Sequence, residues 1–413
     1  MENLNYSLWL LVYTLLIFGW VYKCKDKTLK LVCFFLMTFL YLYCGFGICY
    51  LHRPNVGYIW TYIIYTAVLS FSINMFRKKN VRMKQFTPSI FSFSNKWSTA
   101  IISFYFILLL LPLVQGGNIG NLISPPSPAL GDVIAETNFE EAQVSSIGQS
   151  IITFVRIFFL FAIIKYINKP WVIALFMILP SYINYCNSAY FARSGTAYQV
   201  MVLLLVLYHY YPKARKYIVT SCFIAIPSVV IFFAAYVDIR LGNASSNLGF
   251  IDALGFLLES ETYYPKWYDY ILGDGRYAFN YIYWLITLPL PGFMKPFNIN
   301  VNFNALFTAE SLGISLNDID SISLPGLVNE SVFVFGKYLF FIHAIIFAFI
   351  FMLTYNTLKS DKRNYILMVT IMLQMSVLSF RGGTSTYALP MKTLFVLFVF
   401  YLLFNRRGQS VQG

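Results

Sequence analysis

The sequence predicts an all-α polytopic membrane protein of about 11 transmembrane helices, with a large external loop containing an interfacial or re-entrant helix. Three observations predict it. The 413-residue chain is 58% hydrophobic and 11% charged, with 41 Phe and 32 Tyr, a composition far from that of a soluble domain; its mean hydropathy is +0.64. Apolar runs recur from end to end, many near the roughly 20 residues that cross a hydrocarbon core about 30 Å thick. Basic residues fall into alternate connections between those runs, as the positive-inside rule requires.

The runs place spans at about 6–22, 31–50, 57–76, 97–115, 146–164, 171–188, 197–211, 217–237, 331–355, 364–380 and 387–404. The first lacks a basic n-region and an A-x-A-type cleavage site, so it reads as a retained helix rather than a secretory signal. The seventh is short. Pro180 and Pro227 interrupt the sixth and eighth, which a membrane helix tolerates where neighbours satisfy the freed carbonyl. Six cysteines, with no C-x-x-C spacing, read as small buried hydrophobes rather than metal ligands or disulfides.

One set of connections holds Lys23, Lys25, Lys27 and Lys30; Arg77, Lys78, Lys79, Arg82, Lys84 and Lys96; Lys165 and Lys169; Lys213, Arg215 and Lys216; Lys359, Lys362 and Arg363; and Arg406 and Arg407. That is 20 of the 30 basic residues, accompanied only by Asp26 and Asp361, which makes this side cytoplasmic, with the amino terminus outside and the carboxyl terminus inside. The same clustering assigns the formal charge of +13 to topology and not to nucleic acid, which would need a basic stripe. The chain thus divides into residues 1–237, about eight helices with a short external loop at 116–145; a large external loop at 238–330; and residues 331–413, three helices and a tail. The large loop carries ten carboxylates, and its apolar stretch Tyr277 to Phe293 contains Pro289 and Pro291. A full crossing there would upset the charge alternation downstream, so a surface-lying or re-entrant helix fits.

Arginines near the outer ends of spans are the leading candidates for chemistry. Arg193, in Arg-Ser-Gly-Thr, sits between the sixth and seventh spans; Arg381, in Arg-Gly-Gly-Thr, between the tenth and eleventh. Both hairpins are short, the glycines permit close backbone approach, and a guanidinium grips phosphoryl oxygens bidentately; snorkelling to lipid headgroups is the plainer use. Arg240 and Arg276 are further anion-site candidates, with Asp238 an alternative ionic partner for Arg240 and Asp274 beside Arg276. Arg156, ten residues into the fifth span, needs a polar or anionic partner, through either a structural ion pair or a substrate contact. Glu330 stands where the acidic loop gives way to a helix. A carboxylate there serves to start the helix, or to orient or deprotonate a hydroxyl; Asp274 and Asp238 are the runners-up.

Other chemistries lack their signatures. The three histidines form no H-E-x-x-H, and neither a G-x-S-x-G nor a P-loop nor a dinucleotide fingerprint is present, so no metal and no cofactor is expected. Tyr263, Tyr264, Trp267, Tyr268, Tyr270, Tyr277, Tyr281, Tyr283 and Trp284 crowd the large loop. They suit interfacial packing or stacking against sugar rings.

With these features the chain resembles the Wzy-type polymerases of O-antigen and capsule repeat units. The segments that carry the resemblance are Ala192-Arg193-Ser194-Gly195, the stretch from Pro325 to Gly336 containing Glu330, and Arg381-Gly382-Gly383; it extends over the whole length in span number, Phe/Tyr richness and one large late loop. The family's pattern usually has a small residue before the glutamate, where this chain has Asn329. The resemblance implies a glycosyltransferase of the bacterial inner membrane that joins undecaprenyl-pyrophosphate-linked repeat units on the periplasmic side. Glu330, Arg381 and Arg193 would then be catalytic, and Arg240, Arg276, Asp274, Asp238 and Arg156 substrate-binding. Its partners would be the lipid-linked donor and acceptor, the bilayer, a chain-length regulator and a flippase. The alternatives are an O-antigen ligase, which would be expected to use an outer-loop histidine where 238–330 has none, and a lipid-linked oligosaccharide flippase.

Overall fold

The computed structural model describes residues 2–50, 55–78, 95–111, 119–125, 146–188, 193–221, 268, 274–290, 294, 303–316, 325–359, 364–377 and 384–409. Among the described residues the regular structure is entirely helical: α1 (Glu2–Ile17), α2 (Lys27–Leu40), α3 (Val56–Lys78), α4 (Asn95–Leu110), α5 (Ser146–Ala162), α6 (Pro170–Ser188), α7 (Arg193–Tyr210), α8 (Ala278–Thr287), α9 (Phe303–Leu312), α10 (Gly326–Leu339), α11 (Phe341–Lys359), α12 (Tyr365–Val377) and α13 (Thr384–Gln409). Among the described residues three helical stretches, Lys27–Cys49, Val56–Arg77 and Phe341–Lys359, are long and apolar enough to cross a membrane, and six shorter apolar helices accompany them. The fold is that of a membrane-type helical bundle. The span expected at 217–237 lies outside the described residues beyond 221.

α12 is the hub. It packs against α2, α5, α7, α11 and α13, and every residue from Ile366 to Val377 is buried, as its apolar character on all sides requires. α3 lies along α11, and α4 along α5, where Tyr105 stacks on Phe159 with ring centroids 4.2 Å apart.

Contacts sort the connections into two ends, the same partition that the basic residues mark. At one end Lys359 pairs with Asp26, the Lys165 ammonium donates to the Asn95 carbonyl over 3.0 Å, the Tyr211 hydroxyl donates to the Ile167 carbonyl, and His209 stacks on Tyr365. At the other, Asn121 donates to the Cys186 carbonyl, Tyr182 to the Leu122 carbonyl, and Tyr268 of the large loop meets Thr61 near the start of α3 over 2.7 Å.

Asp26 also caps α2, accepting from the backbone N–H groups of Thr28 and Leu29. Burial alone would raise its pKa, but hydrogen bonds from Lys359, Tyr355 and Leu29 outweigh that and hold the carboxyl below its ordinary value. Asp26→Asn is therefore expected to lower stability at neutral pH by at most about 1 kcal/mol, through the lost charge alone, because an asparagine side chain caps a helix about as well as a carboxylate does. The Lys359 side chain is 53% exposed, so the ion pair itself adds little. Because the folded pKa is depressed, the contribution is complete above the unfolded value and fades as pH falls through the folded one. Thermal melts of both proteins across the acid range should converge at low pH.

The expectation of one continuous helix over 331–355 is corrected by the backbone. Gly336 has φ 76° and ψ 169°, a conformation essentially reserved for glycine, and it breaks the run. The crossing stretch is 341–359; residues 326–335 form a separate helical segment, every residue of it buried. α8, within the large loop, packs on α10 and at ten residues spans only about 15 Å, too short to cross a bilayer. It buries Tyr281, Trp284 and Leu285 and leaves Phe279, Ile282 and Ile286 exposed.

Candidate functional site

Arg156 provides the first candidate site. Its place ten residues into α5 sets it about 15 Å along the axis, at a cavity of about 140 Å³. Tyr105 of α4, Thr153 of α5, Pro180 and Asn184 of α6 and Gln199 of α7 line this space with it. The guanidinium Nη2 donates to the Tyr198 hydroxyl over 3.1 Å. Pro180 has no N–H to offer the carbonyl of Phe176 one turn back, and Phe176 also lines the cavity. No carboxylate lines it, and among the described residues none comes within ion-pair distance of Arg156. A membrane guanidinium held only by a hydroxyl keeps its full charge and most of its donors for an anion. Of the two alternatives open from the sequence, the structural ion pair is not formed among the described residues.

The cavity lies toward the end of the bundle where α6 and α7 meet, with Asn184 one turn from the end of α6. Arg193 begins α7, five residues and about 7.5 Å of helix rise before Tyr198; its side chain is outside what is described. Arg381, in the connection between α12 and α13, and Arg240 and Asp238 also lie outside the described residues, so the convergence of several guanidinium groups is not resolved.

Glu330 has a second environment, unlike the one its position in the sequence suggests. It is near a helix start, as expected, but its residue is 2% exposed and turned into the protein. In a continuous helix, 13 residues would separate it from His343 by about 20 Å. The break at Gly336 instead brings Glu330 Oε1 within 3.8 Å of His343 Nε2. The imidazole is clamped between two hydroxyls, Tyr65 at Nδ1 and Tyr281 at Nε2, each at 3.0 Å. Gly275 rests against this break: a Cβ there would stand 3.1 Å from the Phe335 carbonyl oxygen.

Arg276 and Asp274 are engaged elsewhere. Arg276 pairs with Glu310 of α9, its guanidinium lies over the Tyr277 ring, and Asp274 accepts from the Arg276 backbone N–H over 3.1 Å. Burial, then the Glu310 carboxylate that its hydroxyl meets, push Tyr277 up to about 12. The loop arginine thus has a carboxylate partner, and the turn is a local structural unit.

With this geometry set out, the comparisons with known proteins leave the chain by itself. No family model, no curated protein and no solved structure matches it. Among the described residues, no group of three or more His, Cys, Asp or Glu side chains is gathered as metal ligands would be.

Sequence reasoning passed over three residues. His343 belongs to no recognisable motif in the sequence, yet it is wholly buried beside Glu330. Tyr198 is the hydroxyl that holds Arg156. Lys392, inside the expected last span, is buried with its ammonium 5.3 Å from the centre of the Phe154 ring, on the face of α5 opposite the Arg156 cavity. An ionisable residue inside an apolar run is itself the signal, because such residues are rarely kept without use.

Proposed function

We propose that the chain is a membrane glycosyltransferase that polymerises oligosaccharide repeat units carried on undecaprenyl pyrophosphate, at the periplasmic face of a bacterial inner membrane. In this reading eleven helices span the bilayer with the amino terminus outside and the carboxyl terminus inside, and α8 lies at or dips into the outer face. An acceptor hydroxyl attacks the anomeric carbon of the donor, the bond to the lipid pyrophosphate breaks, and the leaving group takes the negative charge. Guanidinium groups at that point oppose the growing charge. The observation that carries the reading is Arg156: a cation within the bundle, without a carboxylate among the described residues, at a cavity near the hairpin that Arg193 closes. Glu330, buried beside His343, is given no part in this reading.

The test is reconstitution of the purified protein with a defined lipid-linked repeat unit, read by product length and released lipid pyrophosphate. Arg193→Ala and Arg381→Ala should insert normally and lose the polymer ladder. Full-length polymer from both at the normal rate would remove the basis of the reading.

The depth of Arg156 favours one rival, a flippase for the same lipid-linked substrate, since a carrier needs charge in a central cavity. Movement of the labelled lipid-linked sugar across sealed vesicles, with no chain growth, would select the rival.

A further inference from the structure

Away from the Arg156 cavity, at the basic end of the bundle, an open groove of about 550 Å³ runs along α4 and is lined by Asn95, Lys96, Thr99, Ala100, Ser103 and Lys165. Two lysines from distant parts of the chain meet there and, among the described residues, no carboxylate does. The Lys165 ammonium uses two of its three N–H groups on the Asn95 carbonyl and the Thr99 hydroxyl, at 3.0 and 3.1 Å, which fixes it at the groove and leaves one donor. Lys96 has no described polar partner and keeps all of its own. Beyond Ser103 the exposed side of α4 turns apolar, with Phe104 and Ile107 half exposed. Trp97 and Trp171, both about two-thirds exposed, stand near the starts of α4 and α6, as indoles do at the headgroup level of a membrane.

We propose that this groove is a specific site for an anionic phospholipid, its phosphate held between Lys96 and Lys165 and an acyl chain lying along Phe104 and Ile107. The order along α4 is the order within a lipid: ammonium groups, small polar residues, then apolar surface. Paired lysines just beyond the hydrocarbon region attract anionic headgroups, and the fixed position of Lys165 turns a general attraction into a site. The proposal does not depend on which compartment this end faces, nor on the chemistry at Arg156.

The full chain, purified in detergent, would be offered equal amounts of phosphatidylglycerol and phosphatidylcholine with matched acyl chains, and retained lipid would be counted by native mass spectrometry. Selective retention of phosphatidylglycerol is expected, weakened about 25-fold in the Lys96→Gln/Lys165→Gln double variant, at about fivefold per ammonium. The Lys96→Arg/Lys165→Arg double variant should keep the preference, and so should Lys213→Gln/Lys216→Gln, which removes as much charge from the same end outside the groove. Absence of preference in the unaltered chain, or equal retention in the glutamine and unaltered proteins, would overturn the proposal. So would displacement of the lipid by inorganic phosphate at equal concentration, which would mark a free-phosphate site.

Discussion

Arg156→Ala should slow polymer formation by roughly a hundredfold, about 3 kcal/mol of lost transition-state stabilisation, while the protein inserts and melts as before. The two halves of that expectation have one cause. A guanidinium without a carboxylate partner among the described residues is expensive to keep inside the bundle, so its loss costs the fold little. What it loses is the donor aimed into the cavity. Arg156→Lys keeps the charge but not the planar fork and should fall between the two. Tyr198→Phe removes the hydroxyl that holds Arg156 and should slow the reaction far less than Arg156→Ala. If Arg156 served only to bind Tyr198 to α5, both variants would melt early and turn over at similar rates. The reconstituted assay and a thermal melt on the same preparations separate these outcomes.

His343→Leu should reduce stability by about 1–3 kcal/mol, the cost of leaving buried hydrogen-bonding groups without their partner. The Glu330 carboxyl loses the neighbour 3.8 Å away, and Tyr65 and Tyr281 lose the nitrogens they bond at 3.0 Å. Tyr281→Phe placed in the His343→Leu background should recover part of the loss, because it removes one of the hydroxyls left without its nitrogen. Denaturation in detergent of the single and double variants tests this. A His343→Leu protein as stable as the parent would show that the pair does not hold α10 against α11.

Much of the fold could be read from the chain because it rests on one-dimensional signals. The basic residues at Lys165, Lys213 and Lys359 mark the same end that the contacts among Asn95, Asp26, Ile167 and Tyr365 assemble. Arg156 was legible as a lone charge in an apolar run, but its cavity was not, since Tyr105, Asn184 and Gln199 come from three other helices. Around Glu330 the reading went astray for a local reason. Gly336 sits in an apolar run that hydropathy treats as continuous, and a window of mean hydropathy cannot register one residue with a positive φ. Once that residue is seen as a break, the segment before it folds inward and the meeting with His343 follows. Arg240 and Arg381 lie outside the described residues, as does the side chain of Arg193, so the sequence remains their only witness.

The burial of α12 on every side bears on how the protein is made. Every residue from Ile366 to Val377 is buried, so the folded bundle leaves this segment no flank for lipid. A segment apolar on all sides can enter lipid alone after it leaves the ribosome, but it reaches its buried place only in company. It depends on α2, α5, α7 and α11, all synthesised earlier, to form a slot ready to receive it, and on α13 to close that slot behind it. Biogenesis should therefore stall at this late step whenever the slot is misshapen, and a chain stopped just after α12 should be a better substrate for membrane quality-control proteases than one stopped before it.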